Sequence, residues 1–132
     1  MNFLLDTCTF LWIVTDAPEL SNTARTHFTN PDHEFFLSSV STWEITVKHA
    51  LGRLPLPDLP DQFIPTQREL HGIATLPLDE ESTLYLSRLP SLHADPFDRM
   101  LVCQALAQGL ILLTPDEEIT VYAVRTIWEK RF

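Results

Sequence analysis

The stretch "MNFLLDTCTFLWIVT" (residues 1–15) carries a single charged side chain, Asp6, set directly behind the apolar run "NFLL". That run is too short for a helix of its own and reads as a buried strand. A carboxylate buried alone either costs several kcal/mol or takes up a proton. Asp6 therefore requires a donor, a cation or open solvent.

Working outward, "TCTFLWIV" starts a helix after the strand at 2–6. Ser21 caps a second helix, "SNTARTHFTN", ending near Asn30-Pro31. "EFFLSS" (34–39) is a second strand, followed by a helix in "STWEITVKHALGRL". There Trp43, Val47, Ala50, Leu51 and Leu54 recur at helical spacing and Gly52 is the stop. "LPLPDLPD" leads into a helix around 60–70, "GIATLPL" (72–78) is a third strand, and "DEESTLYLSRL" is a helix with acids in its first turn. "DPFDRMLVCQALAQGL" has Asp95 as N-cap, Pro96 at the first helical position and Gly109 just past the end. "LILLT" (110–114) and "YAVRTIW" (122–128) are the fourth and fifth strands. Strands alternating with helices predict an α/β protein, a three-layer sandwich around a mostly parallel sheet. With no repeat, low-complexity segment or boundary, residues 1–132 are expected to form one domain.

Composition narrows the class. Hydrophobic residues at 45% and charged ones at 20% are ordinary for a globular protein. Cys8 and Cys103 both lie in apolar stretches, which suggests buried free thiols in a reducing compartment. No run approaches the roughly 18 apolar residues of a membrane helix, and no signal peptide opens the chain, so a cytoplasmic location is expected. The net charge of −9 would repel nucleic acid unless a metal ion or a basic patch intervenes; the alternative is a basic partner.

In an open α/β sheet, ligands bind beyond the carboxyl ends of the strands. Asp6 closes the first strand, Glu44 follows the second, Asp116 comes two residues after "LILLT", and Asp98 opens the helix that feeds that strand, with Asp95 one turn before it. Acids gathered there would repel one another, and a divalent cation resolves the conflict. In nuclease sites such ions activate water and offset charge on the reacting oxygens. Each acid also has a plainer reading. "STWE" fits a capping box that would occupy Glu44, Asp95 and Asp98 fit N-cap and N3 positions, and Asp116 fits a turn. Asp6 has no helix-start or turn role to explain it.

"FLLDTCTFLW", "SSVSTWEITVKHALGRLPLP", "LHADPFDRMLVCQALAQGLILLTPDEEI" and "YAVRTIW", in order from residue 2 to about 128, resemble the PIN-domain family, and within it the VapC-type toxins. The resemblance implies the three-layer fold and a Mg²⁺- or Mn²⁺-dependent endoribonuclease. Asp6, Glu44, Asp98 and Asp116 become its catalytic, metal-holding acids, with Thr114 as the hydroxyl of the "T-x-D" turn and Asp95 as an auxiliary acid. It implies hydrolysis of RNA phosphodiesters, a VapB-type antitoxin that inhibits at the acidic pocket, and a homodimer. One departure is that Glu117 and Glu118 stand where relatives often carry an aromatic.

Lys48, Arg53 and Arg99 accompany the acid motifs as candidate RNA-phosphate contacts, Arg99 foremost because it adjoins Asp98; each also reads as a solvated charge on a helix face. His93 is read as a loop histidine that caps or is solvated rather than as a general base, and His27, His33, His49 and His71 have no ligand spacing. Trp12, Trp43 and Trp128 are expected in the core or a dimer contact. A phosphatase of the haloacid dehalogenase type would need a second Asp two residues after the first, where this chain has Cys8. A non-catalytic PIN-fold module that holds a basic partner on its acidic face is the other alternative.

Overall fold

In the computed structural model, which describes residues 1–128, "NFLL" is strand β1 (Asn2–Leu5) at the centre of a five-stranded sheet. Residues 129–132, the end of the expected domain, lie outside the described residues. The other strands are β2 (Glu34–Ser38), β3 (Ala74–Leu76), β4 (Ile111–Leu113) and β5 (Thr126–Ile127), in the order β3-β2-β1-β4-β5. Every pairing is parallel, with Leu4 opposite Phe36 on one side and Leu112 on the other. Parallel strands buried on both faces need near-continuous apolar runs, and "NFLL" and "ILL" supply them.

The chain winds from β1 outward to β3, then returns across the sheet to β4 on the far side of β1. Parallel crossovers share one hand, so this reversal of direction moves the return helices to the opposite face. Helices α1 (Thr7–Val14), α2 (Asn22–Thr29), α3 (Ser39–Ala50) and α4 (Pro60–Leu70) precede the return; α5 (Glu80–Tyr85) and α6 (Pro96–Gln108) form it. The alternation within β1 matches the two layers. Phe3 and Leu5 pack with Phe10, Ile13, Ala24 and Phe63, whereas Leu4 packs with Leu101, Val102, Ala105 and Ile119. Helix α3 contributes to both cores, Ile45 to the first and Val40 to the second.

The local signals at α2 and α6 act as expected. Ser21 accepts the Ala24 N–H at 3.0 Å, Asp95 accepts the N–H groups of Phe97 and Asp98, and Gly109 ends α6 with φ +68°.

Helix α3 differs. It begins at Ser39, with Ser38 as the N-cap accepting the Val40 N–H, three residues before the "STWE" motif would start it. Its buried face is Val40, Ser41, Glu44 and Ile45 rather than the stripe through Trp43 and Val47. Trp43 is 61% exposed, edge-on to Phe97 at 5.0 Å, and is not a core residue. Trp12 and Trp128 are half-buried against the first core and face each other at 6.1 Å.

The fifth strand is also shorter than 122–128. Tyr122 leaves the strand path to fill the second core, and only Thr126–Ile127 pair with β4. "DEESTLYLSRL" divides into α5 and a 3₁₀ turn, Leu86–Arg88. Cys103 is buried, Cys8 is half-buried, and both are free thiols. Among the described residues no helix is long and apolar enough to cross a membrane.

An added Cβ at Gly109 would meet no atom within 4 Å, so only the left-handed backbone opposes substitution there. Gly109→Ala should cost about 1 kcal/mol in urea unfolding and Gly109→Asn less, since asparagine tolerates that conformation. Equal losses for the two variants would show that packing, not φ, is the constraint.

Candidate metal centre

Asp6 is the first residue past β1, and its N–H donates to the Leu113 carbonyl at 3.2 Å, which seats it where the ends of β1 and β4 meet. β1 is also the strand from which the chain winds both ways, the switch point at which α/β sheets open a crevice. The carboxylate has a helix-start role after all. It is the N-cap of α1, its Oδ1 accepting the Thr7 N–H at 2.7 Å, and its Oδ2 accepts the Thr114 hydroxyl at 2.7 Å. Asp6 is only 5% exposed. Burial raises its pKa above the usual carboxylate range, the bonds from Thr114 and Thr7 oppose the rise, and Glu44 and Asp116 add to it.

Glu44 lies one turn inside α3, so the capping-box role is absent, because Ser41 is itself helical. Instead Glu44 turns into the protein, where its Oε1 accepts the Thr7 hydroxyl at 2.7 Å and its Oε2 pairs with Lys48. Ser41 Oγ stands 2.9 Å from the same Thr7 oxygen. Thr7 has one hydroxyl hydrogen and the carboxylate can only accept, so Thr7 donates to Glu44 and accepts from Ser41. One threonine thus holds Asp6 by its amide and Glu44 by its side chain.

Asp98 is at N3 of α6, fixed there by the Asp95 cap at 2.8 Å to the Phe97 amide and 3.2 Å to its own. Its carboxyl is pushed up to about 7, first by burial, then by the charges of Asp6, Asp95 and Glu44, with His93 opposing. Ser38 at the head of α3 donates to Gln104 inside α6, which braces the two acid-bearing helices against each other. Asp116 is tied in through Thr114, whose hydroxyl accepts the Asp116 N–H at 3.1 Å while donating to Asp6. Asp116 Oδ1 accepts the Glu118 N–H at 2.9 Å, an Asx turn that holds the carboxylate upright.

His93 is the residue the sequence reading undervalued. It does cap, since its Nδ1 accepts the Asp95 N–H at 3.1 Å. Its Nε2, however, lies 3.3 Å from Asp98 Oδ2, 3.4 Å from Asp116 Oδ2 and 3.3 Å from Glu118 Oε2. One ligand atom each from His93, Asp98 and Asp116 falls within 4.8 Å of the others. The available signal was positional: a histidine two residues ahead of an N-cap reaches over the first turn, and here that turn carries an acid.

The cations divide. Lys48 touches the site through Glu44. Arg53 is exposed beyond the end of α3. Arg99 points away from the acids, its guanidinium 3.5 Å from the Leu89 carbonyl and beside Trp43, Leu86 and Met100. Adjacency to Asp98 in sequence misleads because consecutive helical residues face about 100° apart.

The atoms that converge are the His93 Nε2 and carboxylate oxygens of Asp98 and Asp116, and the carboxylates suit a hard cation such as Mg²⁺ or Mn²⁺. The nearby Cys8 thiol donates to Asp6 Oδ2 at 3.7 Å, and its pKa is raised by burial first and by Asp6 next. It stays a protonated thiol and offers no soft ligand.

The chain matches the PIN domain family over residues 3–124. In fold it is similar to a chain of the Rickettsia felis VapBC2 complex bound to a promoter DNA fragment, at 12% identity and TM-score 0.73, covering 96% of this chain and 98% of that one. The DNA-bound VapBC of Salmonella typhimurium is similar at 18% identity and TM-score 0.68, covering 96% and 97%. VapBC-1 of nontypeable Haemophilus influenzae is similar at 19% and 0.64, covering 96% and 97%. No curated protein sequence matches the chain.

Folding raises the pKa of Asp98 from 3.8 to about 7. The folded state binds that proton more tightly than the unfolded chain, so the stabilisation is full below about pH 4 and is lost as pH rises through about 7. Asp6 acts in the same direction. In EDTA, the Tm should therefore fall between pH 5 and 8, and Asp98→Asn should flatten the slope and melt higher at pH 8. A variant with the wild-type slope would show that Asp98 is not held against its charge.

Proposed function

The chain belongs to the PIN-domain family, and from that premise we propose that it is a metal-dependent endoribonuclease, the toxin of a VapBC-type toxin–antitoxin pair. One observation carries the proposal. Asp98 is partly buried at the head of α6, where burial and the charges of Asp6, Asp95 and Glu44 push its carboxyl up to about 7, an arrangement that disfavours the charged acids unless a cation joins them.

Asp6, Glu44, Asp98 and Asp116 would hold the ion. A bound Mg²⁺ or Mn²⁺ supplies a Lewis acid that makes water nucleophilic at neutral pH and offsets charge on the phosphodiester. The chain's own groups do the positioning. Thr7 and Thr114 fix Asp6, Glu44 and Asp116 before any ligand arrives, so little reorganisation remains for the reaction. Asp95 acts as an auxiliary group, holding the α6 amino terminus that presents Asp98. Asp98, its carboxyl pushed up to about 7, would have to lose its proton to hold a cation near neutral pH. Lys48, beside Glu44, is the candidate contact for an RNA phosphate, and Arg53 and Arg99 lie outside this arrangement.

The surplus of negative charge repels RNA without a cation and favours a VapB-type antitoxin that lays a basic side chain among the acids. The VapBC neighbours support that partner. The proposal extends to residues 1–132 as one domain, a homodimer, and action in the cytoplasm on RNA.

Purified, antitoxin-free protein should cleave total RNA with Mg²⁺ or Mn²⁺ and stop with EDTA. Asp6→Asn and Asp98→Asn should each lower the rate by about 10²–10³-fold, the scale for losing one charge-stabilising group. Cleavage that survives both EDTA and Asp6→Ala would reject the metal-dependent reading. A folded sample that cleaves no RNA would favour a non-catalytic module with a basic partner.

A further inference from the structure

His93 looks at first like a nitrogen ligand, since its Nε2 shares a 4.8 Å neighbourhood with Asp98 and Asp116 oxygens. The other side of the ring argues otherwise. Nδ1 receives the backbone N–H of Asp95 at 3.1 Å, and a peptide N–H can only donate, so Nδ1 keeps its lone pair and the ring hydrogen sits on Nε2. Flipping the ring would place carbon against both the amide and the carboxylates, losing both contacts. Nε2–H therefore donates to Asp116 Oδ2 at 3.4 Å, with Asp98 Oδ2 and Glu118 Oε2 each 3.3 Å from the same nitrogen.

The ring is held in that pose from behind. The Tyr122 hydroxyl oxygen accepts the N–H of His93 at 2.8 Å and that of Leu92 at 3.2 Å, and Tyr122 itself is 4% exposed. The His93 side chain is 9% exposed. The residues Tyr122, His93 and Asp95 thus form a partly buried chain of bonds from the second core to the two acids.

We propose that His93 is a positioning residue, an Nε2–H donor that holds Asp116 beside Asp98 for the cation and does not itself ligate it. The inference rests on the metal-holding role proposed above for those two acids. An imidazole that ligated through Nε2 would have to move its hydrogen to Nδ1, against the Asp95 amide, and would lose the cap of its own loop. Glutamine mimics the proposed state, because its side-chain nitrogen donates at the distance of Nε2 and cannot act as an imidazole ligand.

The tests read the ion and the ring rather than turnover. Long-range ¹H–¹⁵N spectra of the metal-free protein should place the His93 hydrogen on Nε2; an Nδ1–H tautomer would overturn the proposal. Mn²⁺-loaded wild type should show no directly coordinated ¹⁴N in electron spin echo modulation, and a coordinated ¹⁴N would overturn it. Mg²⁺ affinity should drop about 10–100-fold in His93→Ala, as for other residues that orient metal ligands, and stay within about threefold of wild type in His93→Gln. Equal loss in both variants would contradict donor positioning. Failure of wild type to bind Mn²⁺ or Mg²⁺ at all would sink the metal reading itself, a result distinct from nitrogen ligation.

Discussion

Like charges gathered at the edge of a dry sheet are the constraint that orders this molecule. Two carboxylates about 5 Å apart repel by about 3 kcal/mol at an effective dielectric near 20, before any cost of burial. Asp6 and Asp98 bear both costs, which is why each holds its proton more tightly than a free carboxyl does. The surroundings only partly offset this. Thr7, Thr114 and His93 supply donors, and Lys48 supplies one cation at the margin, on Glu44. Protein interiors tolerate such an arrangement when it does something, and stability is the quantity given up for it.

The fold makes the gathering possible by bringing remote segments to one edge. β1 is central and the chain winds from it in both directions, so the loops after β1 and β4 open side by side while α3 and α6 bring their own acids from flanking positions. The apolar strands do more than fill the core. Their backbone pairing sets the Asp6 amide on the Leu113 carbonyl, and from that contact the Thr114 hydroxyl falls within reach of the Asp6 carboxylate. Position at the site is therefore inherited from strand register, and side-chain bonds make the final adjustment.

The sequence carried the architecture well because its signals are local. Asp95, Pro96 and Gly109 bound α6 by capping chemistry that needs no tertiary context, and "NFLL" and "ILLT" are too apolar to be anything but buried. The acids were legible as a set because strand ends in a parallel sheet share an edge. What escaped was contextual. The start of α3 was misplaced because Ser38 and Ser41 are both competent caps, and only the end of β2 chooses between them. Trp43 was assigned to the core or a dimer contact because it lies in an apolar helical pattern, whereas the inward position on α3 goes to Glu44. Thr7 was passed over because its partner Glu44 is more than 20 residues away, a relation no window of sequence displays, and His93 was read as a cap alone because its bond to Asp116 spans a similar gap.

The central claim is that the acids of this edge are held apart from their preferred state until a divalent cation joins them. Thermal unfolding as a function of Mg²⁺ or Mn²⁺ concentration at pH 8 tests it directly. The account predicts a wild-type Tm that climbs with added ion, and an Asp6→Asn, Asp98→Asn double variant that starts higher and does not respond. A wild-type Tm indifferent to either ion, or a double variant that responds as strongly, would contradict it.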